Sequence, residues 1–167
     1  MQDAWALARQ IEQEIALPQE RRAQIQALEQ TLAQVPGAIF GDSDVCPLVH
    51  RFADGIYVRE IFIPAGMLLT GKIHKHAHPN FLMQGEVLVV TEQGGQEHLR
   101  APLAMISPPG TKRAVYALTD VVWITVHASE ETDLTKLEAQ IIAPDYEAYA
   151  AFRAEKERGP CPLLPSP

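Results

Sequence analysis

Three histidines fall within five residues, at His74, His76 and His78, in a chain of 167 residues that has six histidines. The flanking residues are apolar and bounded by glycine, which predicts a strand, and alternate side chains of a strand point to one face. Neutral imidazole is the commonest protein ligand of divalent transition metals. The segment therefore predicts a metal site. The alternative is a turn at the surface with only His74 buried.

The composition excludes several classes of partner. A net charge of −7 at pH 7 argues against nucleic acid and anionic membranes. The two cysteines, Cys46 and Cys161, are far apart and lack CxxC spacing, so we expect a reducing compartment and no disulfide framework. We find no signal peptide and no apolar run long enough to cross a bilayer. The sequence predicts a cytoplasmic protein, or one assembled in the cytoplasm.

The first part of the chain, residues 1–36, has helical periodicity and predicts an N-terminal helical extension. Apolar residues recur at three- and four-residue spacing in two stripes on either side of Pro18: Leu7, Ala8, Ile11 and Ile15, then Ile25, Leu28, Leu32 and Val35. The two helices either cover a sheet as a hairpin or form an oligomerisation element. Both interpretations stay open at this point.

The middle of the chain, residues 45–128, consists of short β-branched and aromatic runs separated by glycine and proline. Such regular spacing is typical of an antiparallel sandwich or barrel. Residues 129–158 return to helical patterns, with Ser129 or Thr132 as the cap of the first helix. Residues 159–167 are rich in proline and predict an extended tail.

Several motifs of the middle segment resemble the cupin superfamily, over residues 56–128. The carriers are Pro64-Ala-Gly66, the histidine cluster, the turn glycine Gly85 and Ser107-Pro-Pro-Gly110. The resemblance implies a mainly β fold, a cupin-type double-stranded β-helix or jelly-roll barrel, here with helical N- and C-terminal extensions. It also implies a metal held by an H-x-H pair, a glutamate and a third histidine.

The chain departs from that ligand set. Counting from Gly85, the family's glutamate falls near His78 and its two histidines near His74 and Lys72. The third histidine falls near Lys112 or Arg113. The other register pairs His74 with His76 but leaves no carboxylate before Gly85. A metal would then need His74 and His78 with a third imidazole, for which the candidates are His76, His127 and His50. Such a set suits Zn, Ni, Fe or Mn.

Cationic side chains at two of the family's metal-ligand positions suggest that the barrel binds an anion instead of a metal ion. If Lys112 or Arg113 faces the barrel, it would suit a carboxylate or phosphate and would repel a divalent ion. Lys72 likewise puts a cation at a ligand position. Arg59 and Glu60 lie on opposite faces of one strand, so one of them can face inward. We therefore count Lys72, Arg113, Arg59 and His50 as candidate ligand-binding residues. The alternative is ordinary surface cations and a cross-strand salt bridge.

A narrower similarity links the chain to small cupins encoded by tailed bacteriophages and prophages. It is carried by stretches such as Cys46-Pro-Leu-Val-His50, Gly71-Lys-Ile-His-Lys75 and Ser107–Arg113. The similarity implies a non-enzymatic scaffold or virion component that forms a homo-oligomer, such as a dimer, and contacts phage structural proteins. The alternatives are a small metal-dependent enzyme acting on a sugar or small acid, and a small-ligand binding module. No nucleophile signature favours catalysis.

Overall fold

A computed structural model of the protein describes residues 18–158. The elements are α1 (Pro18–Ala33), β1 (Leu48–Ala53), β2 (Ile56–Ile63), β3 (Leu68–Thr70), β4 (Ile73–His74), β5 (His78–Gln84), β6 (Glu86–Thr91), β7 (Gly95–Arg100), β8 (Leu103–Ser107), β9 (Arg113–Ala117), β10 (Val121–Ala128), α2 (Leu134–Ile141), β11 (Ile142–Ala143) and α3 (Tyr146–Arg158). The first apolar stripe and the proline-rich tail lie outside the described residues.

Two antiparallel sheets form the barrel. One has five strands in the order β1-β2-β10-β5-β8, and the other has four in the order β3-β9-β6-β7. Apart from the consecutive pairs β1-β2 and β6-β7, neighbouring strands are distant in sequence, as expected when a chain winds through two facing sheets. The fold is a mainly β double-stranded β-helix with helices at both ends, so the predicted fold class is confirmed.

The inner faces of the two sheets make the main core. Leu82, Val87, Val115, Val121 and Trp123 are all 5% exposed or less and pack in one cluster. They alternate with outward-facing residues along their strands, as the pleat requires.

Two glycines of the sequence motifs hold conformations that other residues avoid. Gly85 has a φ of +88° and Gly110 a φ of +80°. A Cβ atom on Gly85 would collide with the Asp120 carbonyl, and one on Gly110 would collide with the Tyr149 ring. Both turns therefore depend on glycine for backbone angle and for space.

The strand expected to run from Met67 to His78 is interrupted. It is divided into β3 and β4, and residues 75–77 bend before β5 begins at His78. The cause is a competing partner, because β4 pairs with β11 and the Lys75 amide donates to the Ile141 carbonyl at 2.8 Å. Histidines 74, 76 and 78 consequently do not share one strand face.

Helix α1 packs on the outside of the four-stranded sheet. Ile25 and Leu28 are buried against Val90 and Ala114. The buried Lys112 ammonium donates to Glu29 Oε1 at 2.7 Å and to the Gly71 carbonyl at 3.0 Å. Helix α1 thus covers a sheet. The other helix of the predicted hairpin lies outside the described residues, and the oligomerisation interpretation stays a prediction.

The helices after the barrel differ in detail from their prediction. Asp133 caps α2, because its carboxylate accepts from the Lys136 amide at 3.0 Å; the expected caps, Ser129 and Thr132, were wrong. Leu137 and Ile141 are buried on Tyr57, whereas Leu134 is 43% exposed. Across residues 18–158 we find no helix that is both long and apolar enough to traverse a bilayer.

Candidate metal centre

Three histidines from three different strands meet inside the barrel. His74 comes from β4, His78 begins β5, and His127 lies near the end of β10. One nitrogen of each ring lies within 4.8 Å of the others. The ring centroids are 4.1 Å apart for His74 and His78, 4.7 Å for His78 and His127, and 5.0 Å for His74 and His127. Three imidazoles that converge in this way can hold one metal ion.

Strand pairing fixes the backbone position from which each of the three imidazole side chains extends. His78 lies opposite Ser107 on β8, and His127 lies opposite Tyr57 on β2. His74 lies opposite Ile142 on the short strand β11. The bend after His74 brings β5 back into the five-stranded sheet, so that His74 and His78 approach the same point from two directions.

The hydrogen bonds of the cluster leave ligand atoms free. His78 Nδ1 lies 3.2 Å from the His76 carbonyl oxygen and donates a hydrogen bond to it. In the neutral ring, Nε2 then carries the free lone pair that can bind a metal. His74 Nδ1 and His127 Nε2 are buried and have no hydrogen-bond partner. Buried polar atoms are normally paired, so unpaired lone pairs beside each other are what a metal site requires before its ion is added. The residues present fit a metal.

The surroundings keep these imidazoles neutral. Burial, followed by the neighbouring His78 and His127, lowers the pKa of His74 to about 2. Burial, followed by His78 and Arg59, lowers the pKa of His127 to about 4. Burial also lowers the pKa of His78, against the opposing effect of its hydrogen bond to the His76 carbonyl. Neutral imidazole is the form that binds metal, so the cluster is ready to ligate near neutral pH.

A cavity of about 830 Å³ opens from the cluster between the two sheets. Its wall is largely apolar, and Ile61, Met67, Leu69 and Trp123 are among the lining residues. Phe40, in the segment that follows α1, also lines the cavity. A second cavity of about 210 Å³ lies on the other side, beside α2. His74 and Arg59 line both cavities, so the cluster lies between them.

Two arginines flank the cluster inside the large cavity. Arg113 donates to the Ser107 hydroxyl and lies over the Trp123 ring, with 5.6 Å from its guanidinium carbon to the ring centroid. Burial lowers the Arg113 pKa. Arg59 lies opposite Thr125 in the sheet, and no hydrogen bond or ion pair engages its guanidinium among the described residues. The Thr125 hydroxyl is also buried and unpaired.

The remaining predicted site residues lie around the cluster. His76 is exposed on the bend, with its ring edge-on to Phe152 at 5.3 Å. Lys72 pairs with Glu138 of α2. His50 Nδ1 lies 2.7 Å from the Tyr57 hydroxyl and lines the small cavity. The structure thus brings His127, Arg59 and Arg113 to the cluster and places His76 outside it. Lys72 lines both cavities but is paired with Glu138.

Thr125, Tyr57 and Asn80 are not among the site residues predicted from the sequence. Asn80 is buried, accepts from the Trp123 indole at 3.0 Å and donates to Ser107 at 2.7 Å and to the His78 carbonyl at 3.2 Å. It thereby fixes the backbone that carries His78. The only signal for Thr125 was its position two residues before His127, which places both on one strand face.

No protein-family model and no curated protein matches this chain. Similar solved structures include KdgF from Halomonas sp., with 15% identity, 57% of this chain and 90% of that chain covered, and a TM-score of 0.47. Another is an RmlC-like cupin family protein with a double-stranded β-helix fold from Methanocaldococcus jannaschii, with 12% identity, 60% and 92% coverage, and a TM-score of 0.44. The Cnp3 cupin domain of Schizosaccharomyces pombe has 14% identity, 63% and 76% coverage, and a TM-score of 0.44. At such low sequence identities and TM-scores, the similarity assigns no activity to this chain.

Proposed function

We propose that this barrel binds a divalent transition metal through His74, His78 and His127 and holds a small organic anion beside it. The observation that carries the proposal is the set of converging, neutral imidazoles whose buried nitrogens His74 Nδ1 and His127 Nε2 have no partner. Nitrogen ligation favours Zn, Ni, Fe or Mn over Mg or Ca. When bound by three imidazoles, such an ion supplies a Lewis acid with an open coordination position.

The anion is supported by the two arginines. Arg59 has no partner among the described residues, and the adjacent Thr125 hydroxyl is a buried unpaired donor. Guanidinium groups bind carboxylates with paired, charge-assisted hydrogen bonds. The apolar walls of the large cavity suit a ligand with a carbon body, and a volume of about 830 Å³ falls in the range of small-molecule sites.

Binding is better supported than acid–base catalysis. Glu29 is the one carboxylate among the described residues that line the large cavity, and it already accepts from Lys112 at 2.7 Å and from Thr70 at 3.0 Å. A paired carboxylate at the rim is poorly placed to act as a general base. The scaffold and virion roles implied by the phage similarity stay predictions.

Metal content after purification, with calorimetric titration of Zn, Ni, Co and Mn, tests the proposal. We expect one ion per chain in the wild type. The His74→Ala, His78→Ala double variant should lose the ion and keep its circular dichroism, because two of its three ligands are gone. His98→Ala is the matched control, since His98 pairs with Glu86 on the outside of the barrel. A wild type that stays metal-free and gives no binding heat would contradict the proposal.

A further inference from the structure

The large cavity is polar at the histidine cluster and apolar further along the five-stranded sheet. Strands β2 and β10 are paired, so their inward residues form successive rows. Arg59 lies opposite Thr125 in the row that adjoins the cluster. In the next row Ile61 lies opposite Trp123, and Ile63 follows two residues further along β2. Alternate residues of a strand are about 7 Å apart, so roughly 13 Å separates the polar row from the row of Ile63.

The four-stranded sheet follows the same order. Arg113, at the start of β9, donates to Ser107, and Ser107 lies opposite His78 of the cluster. Two residues further along β9, Val115 lies opposite Leu69 on β3, and both line the cavity. On both sheets, therefore, an arginine adjoins the cluster and apolar side chains follow it.

The apolar part of the wall offers few hydrogen-bonding groups to a polar ligand. The Trp123 indole N–H already donates to Asn80 at 3.0 Å. Glu29 and Thr70 line the cavity too, but their side chains bond to each other at 3.0 Å. The hydroxyl groups of a sugar placed along this wall would lose hydrogen bonds to water without replacing them. The wall therefore favours a ligand with a hydrocarbon body.

Apolar side chains are also exposed where the cavity reaches the surface. Val35 is 50% exposed, Ile39 39% and Phe40 74%, and all three line the cavity from the segment that follows α1. Exposed apolar surface at the rim of a cavity becomes buried when the ligand itself carries apolar surface. A hydrocarbon chain that extends to this rim would cover these side chains, whereas a fully polar ligand would leave them in water.

We propose that the ligand of the large cavity is a monocarboxylate with an apolar chain, whose carboxylate lies at Arg59 and whose chain runs past Ile61 and Trp123. The inference rests on the anion site proposed above and adds the class of ligand and its orientation. Arg59 is a cation without a partner among residues 18–158, and the neighbouring Thr125 hydroxyl is buried and unpaired. The reverse orientation would bury the carboxylate among apolar side chains, where an unpaired charge is strongly disfavoured.

Calorimetric titration of the purified full-length protein with acetate, butyrate, hexanoate and octanoate tests the class of ligand. We expect affinity to rise by up to about fourfold per added methylene, because each methylene leaves water for the apolar wall. Adipate has the chain length of hexanoate and a second carboxylate, so it should bind at least about tenfold more weakly. Adipate that bound as tightly as hexanoate, for instance by bridging Arg59 and Arg113, would overturn the inference.

The same titrations separate this inference from the anion site on which it rests. If all four monocarboxylates bound with equal affinity, the anion site would stand and the apolar chain would be overturned. If none of them bound, the anion site would be overturned and the inference with it.

A substitution in the apolar wall tests the path of the chain. Met67 is half-buried and lines the cavity, and Met67→Gln keeps the length of the side chain while it adds an amide. We expect hexanoate to bind about threefold or more weakly and acetate to bind as in the wild type. Met83→Gln is the matched control, since Met83 is 55% exposed and lies outside the cavity. Hexanoate affinity that is equal in the two variants would overturn the proposed path.

Discussion

At the scale of single residues, the cluster is defined by polar atoms that lack partners. His74 Nδ1, His127 Nε2 and Thr125 Oγ1 are all buried and unpaired, and all three residues lie on the inner side of the barrel. An unsatisfied buried donor or acceptor costs about 1–3 kcal/mol. Such groups in close proximity indicate a ligand rather than a defect of packing. The other buried side-chain atoms without a partner among the described residues, Gln24 Oε1 and Gln96 Oε1, belong to α1 and β7.

Arg59 gives the residue-scale prediction. Arg59→Gln should weaken binding of a small carboxylate, such as malate or benzoate, to the metal-loaded protein by about tenfold or more, because a charged hydrogen bond contributes roughly 1.5–3 kcal/mol. Metal content should be unchanged, since Arg59 is not a ligand. Calorimetric titration measures both quantities. Arg100→Gln, which alters an exposed arginine paired with Glu86, is the control. Equal carboxylate affinity in the two variants would contradict the role of Arg59.

At the scale of elements, the position of each strand could largely be predicted, but one break could not. The β-branched runs and the glycine turns identify the barrel strands because these are local properties of the sequence. The bend after His74 depends on pairing between β4 and β11, which are far apart in the chain. For that reason the sequence placed His76 beside its two neighbours, although its ring lies against Phe152.

The third imidazole illustrates the same limit. His127 was one of several candidates, and only the antiparallel register of β10 with β2 and β5 brings it to the cluster. The sequence also suggested that Lys72 and Arg113 occupy ligand positions. Arg113 lines the large cavity. Lys72 lines both cavities, but its ammonium group pairs with Glu138 on α2, a residue 66 positions away. Side-chain direction of this kind depends on tertiary contacts that no local pattern encodes.

The attachment of α1 gives the element-scale prediction. Glu29→Ala should lower the free energy of unfolding by about 1–3 kcal/mol, because it leaves the buried Lys112 ammonium without its carboxylate. Chemical denaturation measures the change. Gln30→Ala, at the next and exposed position of α1, should alter stability by no more than ~0.5 kcal/mol. If both variants unfold at the same denaturant concentration, the Lys112–Glu29 pair does not hold the helix.

At the scale of the whole molecule, the cluster couples folding to pH. The folded pKa values of His74 and His127 are about 2 and about 4, below the unfolded value of about 6.5. At a pH between the folded and the unfolded pKa of these histidines, the unfolded chain binds more protons than the folded chain. The contribution of these histidines to the free energy of unfolding of the metal-free protein is therefore greatest above pH 6.5, and it decreases as the pH drops towards 4.

Urea titrations at pH 7, 6 and 5 measure this dependence in a window where most carboxylates stay ionised. We expect the free energy of unfolding to decrease steadily across the series. The His74→Gln, His127→Gln double variant should show a flatter dependence, because glutamine does not titrate. A wild type as stable at pH 5 as at pH 7 would contradict the depressed pKa values.

The order in which the chain leaves the ribosome has a consequence for metal delivery. His74 and His78 emerge together, but His127 is synthesised about fifty residues later and reaches them only when β10 inserts between β2 and β5. A nascent chain presents at most two of the three imidazoles. Coordination by all three imidazoles can therefore form only after His127 has been synthesised and β10 has joined its sheet.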